Sequence, residues 1–177
     1  DRQRYYADPF LFSHAGKTHL FCEEYPLATK RGIISVAEVS SDGSIGAFRS
    51  VIERPYHMSY PFVFEHDGVA YLIPETSATR RVELWRARAF PFEWELACVL
   101  LDGVRAVDTT WCQHDGRFWL FACALSISPF SYPRFGETMT RRPPCVSVRW
   151  NSLMVACGSF VAYSAFTHAI ASNDSSS

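Results

Sequence analysis

The sequence lacks most of the features that would announce a partner or a compartment. Its 177 residues carry 17 basic and 18 acidic side chains, a formal net charge of −1, so no sequence-wide field calls for a nucleic acid or an anionic membrane as main partner. None of the six cysteines, Cys22, Cys98, Cys112, Cys123, Cys145 and Cys157, stands in a CxxC pair or a compact Cys/His block, so neither a zinc module nor any other metal or cofactor is expected. Their spacing is also too loose for a disulfide-stapled mini-domain. Buried thiols in a reduced chain account for them as well, which leaves the compartment open with a slight leaning to the cytoplasm. The apolar stretch from Ser152 to Ala171 is interrupted by Ser, Thr, Gly and His and has no basic flank, so a membrane span is not expected. No initiator Met, basic n-region or apolar h-region precedes Asp1, and a fragment boundary is expected there. Helical periodicity of convincing length is missing from residues 1 to 124, which argues against bundles and helical solenoids.

What is present points to β-structure. Hydrophobic residues make up 48% and charged residues 20%, enough for one sizeable core. Aromatic residues reach 15%, which suits a β-rich core or a surface that stacks on flat ligands.

Three segments align without gaps: DPFLFSHAGKTHLFCEE (8–24), YPFVFEHDGVAYLIPET (60–76) and DTTWCQHDGRFWLFACA (108–124). His14, His66 and His114 coincide, as do Gly16, Gly68 and Gly116, with offsets of 52 and 48 residues. Each copy reads as a β-hairpin, an aromatic and β-branched run, a turn ending in Gly, and a second apolar run. The residue before each Gly and the Gly itself sit where a tight hairpin needs positive φ. Further strands are expected over 32–39 and 48–52 after the first copy, and over 81–87 and 94–100 after the second, with 89–92 as a proline-bearing loop. Four strands in a unit of about 50 residues is the arithmetic of a β-propeller blade. A β-sandwich also supplies short strands, but not in repeating blocks of four.

In a propeller the innermost strands surround a central channel, so aligned positions converge. The start of the first strand carries Asp8, Tyr60 and Asp108, and the end of the second carries Glu23, Glu75 and Cys123. Asp8 and Asp108 are the candidate catalytic residues, with Glu75, Glu23, Tyr60 and Arg105 as candidate substrate-binding residues. Facing carboxylates can split roles, one ionised as base and another neutral as acid, which is the logic of glycoside hydrolysis. Against this stands a structural reading: Asp before Pro initiates turns, Asp108 before two threonines can bond its own backbone, and Tyr60, Tyr71, Trp85, Trp111 and Trp119 suit blade packing. Glu24 is the alternative to Glu23. The pairs Arg80–Arg81 and Arg86, Arg88 fit a solvated strand face, His14, His66 and His114 read as solvated loop residues, and His19, His57 and His168 lack obvious partners.

The strings ADPFLF (7–12), ERPYHMSYPFVFEHDGVAYLIPET (53–76), VELWRARAFPFEWE (82–95) and VLLDGVRAVDTTW (99–111) resemble the N-terminal domain of glucosamine inositolphosphorylceramide transferase and its bacterial relatives. That domain is similar to the five-bladed propellers of glycoside hydrolase family 43 and the invertase-like enzymes. The resemblance covers about residues 5 to 122. It implies that Asp8 matches the general base of the family 43 enzymes and Asp108 the carboxylate that tunes the acid, with Thr109 where those hydrolases have Pro. Their acid is a Glu on a fourth blade, and no such blade is recognisable here; Glu137 stands in a loop-like context.

The expected architecture is therefore all-β, a partial five-bladed propeller of about three four-stranded blades over 1–122 (blades about 5–55, 56–104 and 105–122 onward), with a divergent or irregular tail over 123–177. The expected function is that of a carbohydrate-active propeller in glycan or glycolipid biosynthesis, the accessory or sugar-binding part of a glycosyltransferase-type protein. Its partner would be a carbohydrate or glycolipid head group, together with further domains of a longer parent protein. The alternatives are an inverting glycosidase with Asp8 as general base, and a non-catalytic interaction fragment or truncated product.

Overall fold

The structure is a computed structural model that describes residues 3–114, 117–126, 150–155 and 160–166. The described residues are nearly all strand. The first blade contains β1 (Arg4–His14), β2 (Lys17–Pro26), β3 (Ile33–Val39) and β4 (Arg49–Ile52). The second contains β5 (Ser59–His66), β6 (Val69–Glu75), β7 (Arg81–Ala89) and β8 (Glu93–Asp102). The third is built from β9 (Arg105–His114), β10 (Arg117–Ser126), β11 (Trp150–Val155) and β12 (Phe160–Phe166). The first two sheets run in chain order, β1-β2-β3-β4 and β5-β6-β7-β8. The third runs β9-β10-β12-β11, so β12 rather than β11 pairs with β10. Three successive four-stranded antiparallel sheets, the first two as simple meanders, make this a partial β-propeller.

The hairpin turns form as the repeat predicts. His14 pairs with Lys17 and His66 with Val69, which leaves two residues at each tip. The φ values are 49° and 76° at Ala15 and Gly16, and 49° and 75° at Asp67 and Gly68, the sign pattern of the turn that matches strand twist. The third tip, at 115–116, lies outside the described residues.

A second repeated feature was not expected. Ala7 pairs with Glu23 and Phe10 with Phe21, so Asp8 and Pro9 together oppose Cys22. Ser59 pairs with Glu75 and Phe62 with Ile73, so Tyr60 and Pro61 oppose Pro74. Val107 pairs with Cys123 and Thr110 with Phe121, so Asp108 and Thr109 oppose Ala122. Each blade's first strand thus carries a β-bulge at the same aligned position, and its leading residue has positive φ: 51° at Asp8, 45° at Tyr60 and 52° at Asp108. The prolines at the second bulge position have no N–H to leave unpaired.

Packing between blades holds these strands in place. Phe21, Ile34, Met58, Val63, Leu72 and Trp85 join the first two blades in one buried cluster, and Ile73, Leu84, Ala106 and Leu120 join the second and third in another. Full burial of each large side chain contributes about 1.5–3 kcal/mol. Trp85 donates its indole N–H to Glu83 Oε2 at 3.1 Å, while Tyr56 donates its hydroxyl to the same carboxyl group at 3.0 Å, so the buried polar side chain is hydrogen-bonded.

Several local expectations shift. Strands β7 and β8 extend further than predicted, which reduces the loop at 89–92 to a turn closed by Phe92 N–H donating to the Ala89 carbonyl at 2.9 Å. His14 and His66 end strands rather than occupying solvated loops. His14 Nδ1 lies 3.0 Å from Glu65 Oε2 in the next blade with its ring 4.6 Å from Phe90, and His66 packs edge-on to Phe118 at 5.1 Å. Among the described cysteines all four are free, but only Cys22 is buried. The expectation that most are buried therefore fails for Cys98, Cys112 and Cys123.

Candidate functional site

The bulges build the site. An extra residue in a strand re-aims its side chain, and here it does so three times beside the same strand position. Asp8 Oδ2 accepts the backbone N–H of Tyr60 at 3.1 Å, linking the first bulge to the second. The Tyr60 hydroxyl lies 3.1 Å from Thr110 Oγ1, linking the second to the third. The Glu75 carboxylate accepts the Ser77 hydroxyl at 2.8 Å through Oε1 and senses the charge and the backbone N–H of Asp108 in the third blade.

Glu23 stands beside this chain of contacts, paired in register with Ala7 just before the first bulge. It is only 6% exposed. Burial first, then the charges of Asp8 and Glu75, push its carboxyl up to about 7. Burial also raises Glu75, reinforced by the Asp108 charge and opposed by Ser77, the Asp108 N–H and His57. Carboxylates from all three blades thus sense one another. Around neutral pH Glu23 exchanges between a carboxyl that donates a hydrogen bond and a carboxylate that only accepts.

Asp8, Glu23, Tyr60, Glu75 and Asp108 are therefore brought together by contact or charge. Arg105 is not: it is exposed at the start of β9, and among the described residues it makes no side-chain hydrogen bond or ion pair with the cluster. Glu24 is buried but faces away from Glu23, pairing with Arg4 and accepting the Ser35 hydroxyl at 2.6 Å through Oε2. Tyr71 and Trp85 are buried in packing, and Trp111 lies 4.4 Å from Phe64 across the blade boundary. The basic residues of the second blade form surface pairs, Arg81 with Asp102 and both Arg86 and Arg88 with Glu95. Glu137 and His168 lie outside the described residues.

His57 is the residue that sequence reasoning missed. It lies between β4 and β5, where its Nδ1 accepts the Gly32 N–H at 2.9 Å and its Nε2 stands 3.6 Å from Glu23 Oε1. No local pattern signals this, because its partners are far away in the chain. Among the described residues no group of three or more His, Cys, Asp or Glu is arranged to hold a metal ion. Among them, too, no helix is long and apolar enough to cross a membrane.

The fold has relatives among solved structures. The α-L-arabinofuranosidase from Lactobacillus brevis superposes with a TM-score of 0.57 at 13% identity, over 68% of this chain and 45% of that one. The Bombyx mori GH32 β-fructofuranosidase BmSUC1 gives 0.54 at 18% identity, over 72% and 31%. In sequence, glucosamine inositolphosphorylceramide transferase 1 of Oryza sativa subsp. indica is 38% identical over 117 residues, 66% of this chain and 16% of that protein. Its Arabidopsis thaliana counterpart is 34% identical over 115 residues, 64% and 15%. The chain thus spans about a sixth of the length of these relatives. The family described as glucosamine inositolphosphorylceramide transferase 1, N-terminal, matches residues 2–138. With more than half of its length matched by that family, whose resemblance the blade motifs already carried, this chain belongs to the N-terminal domain family of glucosamine inositolphosphorylceramide transferase 1.

Proposed function

We propose that this chain is a sugar-binding β-propeller that serves glycan or glycolipid biosynthesis as the accessory part of a glycosyltransferase-type protein. The observation that carries the reading is the convergence of Asp8, Glu23, Glu75 and Asp108 beside three equivalent bulges. A sugar offers O–H donors and oxygen acceptors in alternation around a ring. Asp8, Glu75 and Asp108 accept from its hydroxyls, each charge-assisted bond contributing about 1.5–3 kcal/mol. Glu23, neutral part of the time, donates to a ring or hydroxyl oxygen. Tyr60 fixes the spacing between the carboxylates through its backbone and hydroxyl, and Arg105 guides ligand entry from outside the cluster. The names of the plant relatives support a head group containing an amino sugar or inositol.

The test is calorimetric titration of the purified chain with glucosamine, N-acetylglucosamine, myo-inositol and neutral hexoses, with Asp8→Asn and Glu75→Gln in parallel. Binding near 1 mM, about 4 kcal/mol, to at least one sugar, weakened at least about tenfold in both variants, is the expected result. Equal binding by the variants sinks the assignment.

A second reading is an inverting glycosidase with Asp8 as base and Asp108 tuning the acid. Glu23 favours it, since a carboxyl pushed up to about 7 beside other carboxylates is the profile of a general acid. Release of an anomerically inverted sugar from aryl glycosides, abolished in Asp8→Asn, distinguishes this reading from binding alone.

A further inference from the structure

Gly32 lies between β2 and β3, where the β4–β5 connection is pressed against the polar cluster. A β-carbon there would stand 2.5 Å from Glu23 Oε1, 2.5 Å from the Met58 carbonyl oxygen and 2.8 Å from His57 Cε1. Only a glycine lets all three approach. Its backbone is held on both sides, since its carbonyl accepts the Met58 N–H at 3.0 Å and its own N–H donates to His57 Nδ1 at 2.9 Å.

This second bond decides the tautomer. An Nδ1 that accepts has no proton, so the neutral ring carries its proton on Nε2. That nitrogen faces Glu23 Oε1 at 3.6 Å. The His57 ring is steadied further by Tyr25, edge-on at 6.0 Å, and Tyr25 by Tyr5, stacked at 4.8 Å.

We propose that His57 is a positioning residue for Glu23, aiming its Nε2–H at Oε1 so that Glu23 turns its other oxygen to the ligand and switches between donor and acceptor. The proposal rests on the sugar-binding reading for the ligand, but not for the dyad itself. Glu23 is faced by Asp8 and Tyr5 from β1, Glu75 from β6 and His57 from the β4–β5 connection, with Asp108 of β9 acting through Glu75 and Tyr25 packed against Tyr5 and His57. Arg31, the neighbour of Gly32, pairs instead with Glu53 at 3.6 Å. His57 is thus the group whose Nε2–H is directed at Glu23 Oε1, a charge–dipole contact at 3.6 Å rather than a closed hydrogen bond. Its Nε2–H favours the carboxylate, against the burial and the two like charges that disfavour it.

The experiment reads the dyad without ligand. The full chain, with glutamate side-chain carboxyls labelled with 13C, is titrated by NMR from pH 4 to 9. One carboxyl is expected to titrate near 7 and to vanish in Glu23→Gln. His57→Asn keeps an acceptor for the Gly32 N–H but has no Nε2–H, so the midpoint is expected to rise by about one pH unit. A midpoint within about 0.2 units of the wild type overturns the proposal. A second measurement covers a variant that fails to fold: 15N shifts of the wild-type His57 ring are expected to show the Nε2–H tautomer, and an Nδ1–H tautomer overturns the proposal. Sugar titrations on the same samples then report separately. Loss of the dyad with sugar binding intact refutes this inference alone, whereas an intact dyad with no sugar binding refutes the sugar-binding reading alone.

Discussion

Asp8 in the first blade accepts, through Oδ2, the backbone N–H of Tyr60 in the second, at 3.1 Å. Both residues lead a β-bulge and both have positive φ. One carboxylate thereby ties two strained backbone sites across a blade boundary and keeps its second oxygen for other work. Asp8→Ala removes the acceptor and leaves the N–H unpaired, with an expected loss of about 1–3 kcal/mol in urea unfolding. Asp8→Asn keeps an acceptor and tolerates positive φ, so it stays within about 1 kcal/mol of the wild type while abolishing the charge. Equal destabilisation by the two variants would show that the bond contributes nothing specific.

Glu23 gives the fold a pH dependence with a definite sign. Its carboxyl is raised from 4.5 to about 7 in the folded chain, so the folded state holds the proton more tightly than the unfolded one. Stability on this account is full below 4.5 and falls as the pH climbs toward 7, because the unfolded chain ionises first. Glu23→Gln removes the titration. Its stability relative to wild type is expected to rise by about 3 kcal/mol between pH 4.5 and pH 8, as read from urea midpoints at the two pH values. A pH-independent difference contradicts the assignment of the buried proton to Glu23.

Gly32→Ala tests the close approach beneath that carboxyl. Two of the three atoms its β-carbon would meet at under 3 Å, the Met58 oxygen and Glu23 Oε1, belong to backbone or to a buried side chain. The expected cost is about 2–3 kcal/mol, in line with overpacking a tight site, and it is read as a drop in urea midpoint at unchanged slope. A neutral substitution would mean that the β4–β5 connection is free to move away there.

Ala15 gives the opposite sign. It holds φ of 49° at an exposed hairpin tip, where a β-carbon is strained. Ala15→Asn places the residue preferred before Gly in such a turn, and a gain of about 0.5–1 kcal/mol is expected in thermal unfolding. Destabilisation would contradict the turn geometry.

Much of this architecture was legible in the residues. The His-x-Gly repeat located the hairpins because a two-residue tip needs positive φ, and that demand is written in local sequence. The aligned Asp8, Tyr60 and Asp108 marked one equivalent strand position in the three blades, but the bulges there were hidden, since a bulge is a miscount between two strands and appears only when both registers are known. Glu23 and Glu24 show the same limit. They are adjacent, both are buried, and opposite faces of the strand give one to the cluster and the other to Arg4 and Ser35. His57 was beyond reach because its role depends on Gly32, 25 positions earlier in the chain and joined to it by a single N–H. The exchange of β11 and β12 in the third sheet had no signal either, since those strands carry no copy of the repeat.

Amide chemical-shift mapping with the sugar that binds tightest is the most direct test of the central claim, that three blades present one carbohydrate site. Amide signals of Ala7, Asp8, Ser59, Tyr60, Val107, Asp108 and Thr109, together with Gly32, are predicted to move on one saturable curve. Shifts confined to one blade, or to the outer strands β4 and β8, would contradict it.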